Sequence, residues 1–149
     1  RMSRPSLPCV SGSAANASAN TITLTGLSVL QIFTGGEGTQ AEPTQSATLV
    51  TFSQVGANSM TISWTNGNGS GRLVLMRSGA AVSANPVDFT SYTADTVFAS
   101  GSQIGSGNWV VYLSNGNSLT VTGLNPATEY HVAVFEYSNF GIDIDFRLT

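Results

Sequence analysis

Leu124-Asn125-Pro126-Ala127-Thr128-Glu129-Tyr130-His131-Val132-Ala133-Val134, carried on by Phe135-Glu136-Tyr137, is the stretch that decides the fold. Tyr130 to Tyr137 is the longest alternating run in the chain. Successive side chains of a strand leave opposite faces, so Tyr130, Val132, Val134 and Glu136 share one face. Working outward, Asn117 to Thr122 alternates as well, with Leu119 and Val121 on one face, and Asn115-Gly116 before it reads as a turn. Trp109 to Leu113 and Thr96 to Ala99 read as short strands, while residues 78–96 are mostly loop, with short extended pieces near Val82 and Tyr92. Further upstream, Leu49 to Val55, Ser59 to Thr65 and Arg72 to Arg77 are strands. The last two are joined by Asn66-Gly67-Asn68-Gly69-Ser70-Gly71, residues that tolerate positive φ. Ile142 to Leu148 closes the series. No stretch shows capped helical periodicity. Short strands separated by Gly/Asn turns indicate an all-β sandwich or barrel.

Upstream of this series the chain changes character. Residues 1–20 are rich in Ser, Ala and Asn and show no periodicity, which reads as a flexible arm. In Thr21-Ile22-Thr23-Leu24-Thr25 the apolar residues alternate with Thr, and after Gly26 a second apolar run extends to Phe33. Residues 34–46 are a Gly/Thr/Gln/Pro linker. The expected organisation is an arm of one or two strands over residues 1–42 and a sandwich domain over residues 43–149. Asn20 to Ser28 mirrors Asn117 to Asn125 at an offset of 97 residues. One reading makes residues 1–42 the tail of a preceding unit, although no Pro-x-Thr-x-Tyr follows Leu27; the other is chance similarity between Thr-alternating strands. A further reading makes Ile22, Leu24, Leu27, Val29 and Ile32 an assembly strand, donated to the open sheet edge of another copy or folded back on its own domain. Head-to-tail donation does not close on itself and builds a fibre.

Composition narrows the function classes. Only 9% of the 149 residues are charged, against about 25% in an average protein. Five Arg and no Lys give a net charge of −3, so no basic patch exists for nucleic acid. No run approaches the roughly 18 apolar residues of a membrane-inserted helix, and Arg1–Val10 lacks the apolar core of a signal peptide. Cys9 alone cannot build a disulfide framework. Ser, Thr, Asn and Gly supply 64 residues, a polar surface that fits an extracellular or cell-surface protein.

The run Leu124 to Tyr130 resembles the fibronectin type III signature Leu-x-Pro-x-Thr-x-Tyr, and Thr61-Ile62-Ser63-Trp64 is similar to that family's core strand with its Trp. The resemblance covers residues 43–149. It implies a fibronectin type III / immunoglobulin-like antiparallel sandwich, with Trp64 in the core and a tyrosine corner built from Leu124, Pro126, Thr128 and Tyr130. Trp64 to Gly69 and Gly105 to Tyr112 look like a subgroup found in secreted and surface proteins of gliding-type bacteria. Two departures stand out. The loop after Arg77 is longer than usual, and Glu136 occupies a face where the family carries a small apolar residue. Glu136 therefore lies at the rim or meets Arg72 or Arg77.

Catalytic constellations are missing from the sequence, and no enzyme activity is expected. The single His, His131, lies on the face away from Tyr130 and has no nucleophile placed beside it by any motif. No zinc-protease, nucleophile-elbow or phosphate-loop pattern occurs. Asp143 and Asp145, spaced i, i+2, leave one face of a strand; they are the one candidate for a Ca²⁺ site and are more simply solvated rim carboxylates, so no cofactor is expected. Trp109, Tyr112 and Tyr137 are candidate glycan-stacking aromatics, with Trp109 and Tyr112 on opposite faces of their strand. Asn16 and Asn68 fit the N-glycan sequon, and Asp95-Thr96-Val97 makes Thr96 a candidate O-glycan acceptor. The expected function is a non-catalytic structural or adhesive module that binds its own copies or neighbouring domains. The alternative is a carbohydrate-binding or spacer module of a secreted multidomain enzyme.

Overall fold

The computed structural model describes residues 14–16, 21–23, 33–34, 41–140 and 143–148. It divides into two compact units, Arg1–Gly38 and Thr39–Thr149, a division that falls slightly ahead of the expected start at residue 43. No helix occurs among the described residues.

In the first unit, β1 (Ala14–Asn16), β2 (Thr21–Thr23) and β3 (Phe33–Thr34) form an antiparallel sheet in the order β1-β2-β3. Ile22 of the expected assembly strand sits in β2, opposite Ala15 on one side and Phe33 on the other. A strand at Ala14–Asn16 was not expected, because its Ala-Ala-Asn run carries no alternation. Leu24, Leu27, Val29, Ile32 and Cys9 lie outside the described residues.

The second unit is a β-sandwich. One sheet has the order β4-β5-β8, from β4 (Thr48–Ser53), β5 (Ser59–Thr65) and β8 (Ser118–Thr122). The other has the order β10-β9-β6-β7, from β6 (Gly71–Ser78), β7 (Trp109–Ser114), β9 (Tyr130–Phe140) and β10 (Asp143–Phe146). All neighbours are antiparallel. Between the sheets lie Ile62, Trp64, Val74, Met76, Val111, Leu119, Val121 and Leu124.

Strand β6 is buried on both faces. Val74 and Met76 face the sandwich core, while Leu73 and Leu75 face outward, yet all four are fully buried. The loop between β6 and β7 causes this. It lays Val82, Ala84, Tyr92, Ala94 and Ile104 over the outer face, against Leu73, Leu75, Val110, Phe135, Tyr137 and Phe146. A second apolar layer results, so a face that most sandwiches leave wet is dry here. The extended pieces expected near Val82 and Tyr92 form no strand, and Thr96 to Ala99 shrinks to one bridge, Val97 opposite Thr122.

Candidate functional site

Strand β9 organises the second unit, and its two halves have opposite surroundings. At the upper half Glu136 lies neither at the rim nor near Arg77. Its side chain is fully buried, and Oε1 accepts from Arg72 Nε at 2.9 Å. The same carboxylate accepts from the main-chain N–H groups of Gly67 at 2.8 Å and Gly69 at 3.0 Å. Arg72 in turn donates to the carbonyls of Asn115, Gly67 and Gly69. A buried charge is tolerable only when paired and hydrogen-bonded, and every contact here meets that condition. Two glycines are required by the close approach. A Cβ on Gly69 would lie 2.6 Å from the Tyr137 carbonyl oxygen, and one on Gly71 would lie 2.2 Å from the Tyr137 ring. Asn68 completes the clip: its amide accepts from Gln45 N–H and donates to Thr44. Asn68 is thus engaged at both amide atoms while remaining exposed.

The lower end carries the corner. Tyr130 accepts through its hydroxyl from the N–H of Asn125 at 2.9 Å, five residues upstream, and its ring meets Phe98 edge-on with centroids 5.0 Å apart. Thr128 donates to the Pro126 carbonyl, and Leu124 is buried. Trp64, 4% exposed, meets Tyr112 edge-on at 5.3 Å. A three-stranded sheet facing a four-stranded one, closed by this corner, settles the architecture. The chain has a fibronectin type III fold.

Comparison with solved structures finds chains of low similarity. A structure titled "Crystal structure of FN3 domain (Residues P368-P466) of Human collagen XX" is similar at 16% identity and a TM-score of 0.43, over 76% of this chain and all of that one. "Titin kinase and its flanking domains" is similar at 16% identity and a TM-score of 0.44, over 70% of this chain but 15% of that one. No family model matches, and no curated protein matches.

Within this fibronectin type III fold, the lower half of β9 has one edge without a partner among the described residues. Strand β10 pairs with β9 only from Tyr137 to Phe140, and one further bond runs from Arg147 N–H to the Glu136 carbonyl. Antiparallel pairing alternates, so the main-chain groups of Val132 and Val134 point to the same edge as those of Glu136. No strand among the described residues pairs with them there. Phe135 to Ser138 are buried, whereas His131 to Val134 are only partly buried. The edge strand of the opposite sheet, β4, is exposed along its whole length. Phe52 pairs with fully buried Ile62 and so faces the core side, yet it is 50% exposed; Val50, next to the bulge in β4, is 37% exposed. Arg147 donates to the Pro43 carbonyl and to Ser46, which puts the β4 and β10 edges on the same side of the sandwich. A groove of about 370 Å³, lined by Val55, Met60, Leu124 and Tyr130 among others, opens at its lower end.

The candidate glycan platform is not brought together. Tyr137 is 8% exposed and packs edge-on against Phe146 at 5.7 Å. Burial, more than the neighbouring Tyr112, pushes its hydroxyl above the usual phenol range, with Arg72 opposing. Tyr112 packs against Trp64. Trp109 and Tyr112 do not occupy opposite faces: a bulge places Val111 as an extra residue between Val110 and Tyr112, so Trp109 aligns with Met76 and Tyr112 with Val74 on one face. Trp109 remains partly exposed.

Three carboxylates meet elsewhere. Glu42, Asp88 and Asp145 each offer an oxygen, all within 4.8 Å of one another. Partial burial first, then the Asp88 and Glu42 charges, raise the Asp145 carboxyl. Asp88 also accepts from Phe146 N–H at 2.8 Å. Asp145 thus joins residues distant in sequence, while the side chain of Asp143 lies outside the described residues, as does that of Asn16. Thr96 is exposed, beside an Asp95 carboxylate that accepts from Val97 N–H. His131 sits 3.4 Å from Glu129 at the surface. Sequence reasoning missed Asn108, which is fully buried and donates to the Ile104 and Ser106 carbonyls while accepting from Ser83 N–H. The flanking Gly105 and Gly107, both at positive φ, were the signal that a tight turn needed such an anchor.

Proposed function

We propose that this chain is a non-catalytic structural and adhesive module of the extracellular space or cell surface that assembles with copies of itself. The observation that carries the reading is the uncharged edge strand β4, exposed along its whole length, Leu49, Val50 and Phe52 included. Edge strands that stay solitary are usually blunted by Lys, Pro, inward charges or a bulge; Thr48–Ser53 carries no Lys, Pro or charge and has one bulge between Thr48 and Thr51. The Lys-free, Ser/Thr/Asn-rich surface and the likeness to modules of secreted bacterial proteins support the location. Partners are its own copies or neighbouring domains, with no nucleic acid and no membrane insertion. His131 lies at the surface against the exposed Glu129 carboxylate, a contact of a solvated strand face that fits a non-catalytic role.

Negative-stain electron microscopy with light scattering on the full chain tests this. Defined oligomers or filaments are expected; a monomer at every concentration contradicts it. The alternative, a carbohydrate-binding or spacer module, draws support only from Trp109, since Tyr112 and Tyr137 are packed against other rings. Glycan binding lost in Trp109→Ala would favour it.

A further inference from the structure

Three Asn-Gly pairs lie in the turns around the buried ion pair: Asn66-Gly67, Asn68-Gly69 and Asn115-Gly116. Asn is a chemically labile residue, and a following Gly leaves the next main-chain nitrogen unshielded by any Cβ. That nitrogen can lose its proton to solvent hydroxide and attack the Asn Cγ. The bond from Cγ to the side-chain nitrogen breaks, and the nitrogen leaves as ammonia. A cyclic imide results. Water then adds to one of its two carbonyls and opens it to aspartate or isoaspartate. All three Asn residues are exposed, so exposure does not distinguish them. Their main-chain neighbours do.

The two ends of the Arg72–Glu136 pair act on these sites with opposite sign. Glu136 accepts from Gly67 N–H at 2.8 Å and from Gly69 N–H at 3.0 Å. Those are the nitrogens that would have to ionise and attack. A buried carboxylate beside them holds the proton in place and repels the developing negative charge. Asn68 is restrained further, because its side-chain amide is held by Gln45 and Thr44 at 2.9 Å each. At the third pair the neighbour is the cation. Arg72 Nη1 donates to the Asn115 carbonyl at 3.0 Å. Ionisation of the Gly116 N–H spreads its charge onto that same carbonyl oxygen, so the buried guanidinium stabilises it as an oxyanion-hole donor would. The Gly116 N–H makes no main-chain hydrogen bond among the described residues. We propose that Asn115 is a site of spontaneous covalent modification, converted through a cyclic imide to aspartate and isoaspartate while Asn66 and Asn68 are protected. Opening at the former main-chain carbonyl turns the oxygen held by Arg72 into a carboxylate oxygen. The isoaspartate product thus brings a second carboxylate to a guanidinium already paired with Glu136.

The experiment incubates the full chain at mildly alkaline pH, folded and in guanidinium chloride, and follows the three sites by peptide mapping with mass spectrometry. In the folded chain Asn115 should convert about tenfold or more faster than Asn66 or Asn68. In denaturant the three rates should converge. Asn66 or Asn68 keeping pace with Asn115 in the folded chain overturns the proposal. So does a spread of rates that is the same in denaturant, since sequence neighbours alone would then set it. Arg72→Met/Glu136→Leu removes both ends of the pair and should narrow the spread in the folded state. If that variant does not fold, Glu136→Gln keeps an acceptor for the glycines without the charge, and it should raise the Asn66 rate relative to Asn115. A rate ratio unchanged in the folded variant overturns the role given to the ion pair.

Discussion

The two halves of β9 are built from similar residues and end in different states. Phe135 to Ser138, where β10 and Arg147 join β9 at Glu136, Tyr137 and Ser138, is buried; His131 to Val134, paired with β6 alone among the described residues, is only partly buried. The upper half also carries a buried ion pair at its inner face, whereas Val132 and Val134 are partly buried against the core cluster and Tyr130 lines a groove. The difference teaches that alternation records which face of a strand is apolar but not whether its edge is paired. Burial along one strand is decided by the neighbours that the topology supplies.

The strongest way to break the contrast is to remove the clamp at the closed end. Glu136→Ala leaves Arg72 buried without its partner and strips the acceptors from Gly67 and Gly69. A loss of about 3–5 kcal/mol is expected in denaturant unfolding. Replacing both Arg72 and Glu136 by apolar residues should cost much less than either single change. Next comes a matched pair of Phe substitutions. Phe135→Ala, at a position 6% exposed, should cost about 3–5 kcal/mol, while Phe52→Ala should cost about 1 kcal/mol or less in the monomer. Equal costs would show that the lower half is as closed as the upper. Tyr130→Phe removes one hydrogen bond to Asn125 and should cost about 1 kcal/mol, read as a shift in unfolding midpoint without a change in slope.

Much of this was legible in advance, and the illegible part has a common cause. Leu124 to Tyr137 announced the corner and the central strand because its chemistry is local: a turn, a Tyr reaching five residues back, and strict alternation. Glu136 was visible as an oddity, and its partner was one of two Arg, yet only the register of Arg72 opposite Glu136 chose between them. Trp109 and Tyr112 were misassigned to opposite faces because a bulge adds one residue and resets the parity, which no residue type at Val110-Val111 signals. Tyr137 looked available for a sugar because its cover, the β6–β7 loop and Phe146, comes from distant sequence. The meeting of Glu42, Asp88 and Asp145 was unreadable for the same reason.

The smallest expected effect concerns that carboxylate cluster. The folded state raises the Asp145 carboxyl above its ordinary value of 3.8, so folding favours the protonated form. Its contribution to stability is therefore fully present below about pH 4 and is lost as pH rises through the raised value. Asp145→Asn should raise the melting temperature at pH 7, and the gain should vanish near pH 3. A gain that is the same at both pH values would mean that charge crowding is not its cause.

Native-state hydrogen exchange along β9, measured on the full chain at a concentration where it is monomeric, tests the central claim most directly. The Val132 and Val134 amides should exchange orders of magnitude faster than the Ser138 amide, which faces the same edge but is paired with β10. Uniform protection from Val132 to Ser138 would contradict the account, because it would mean that the lower edge is already filled.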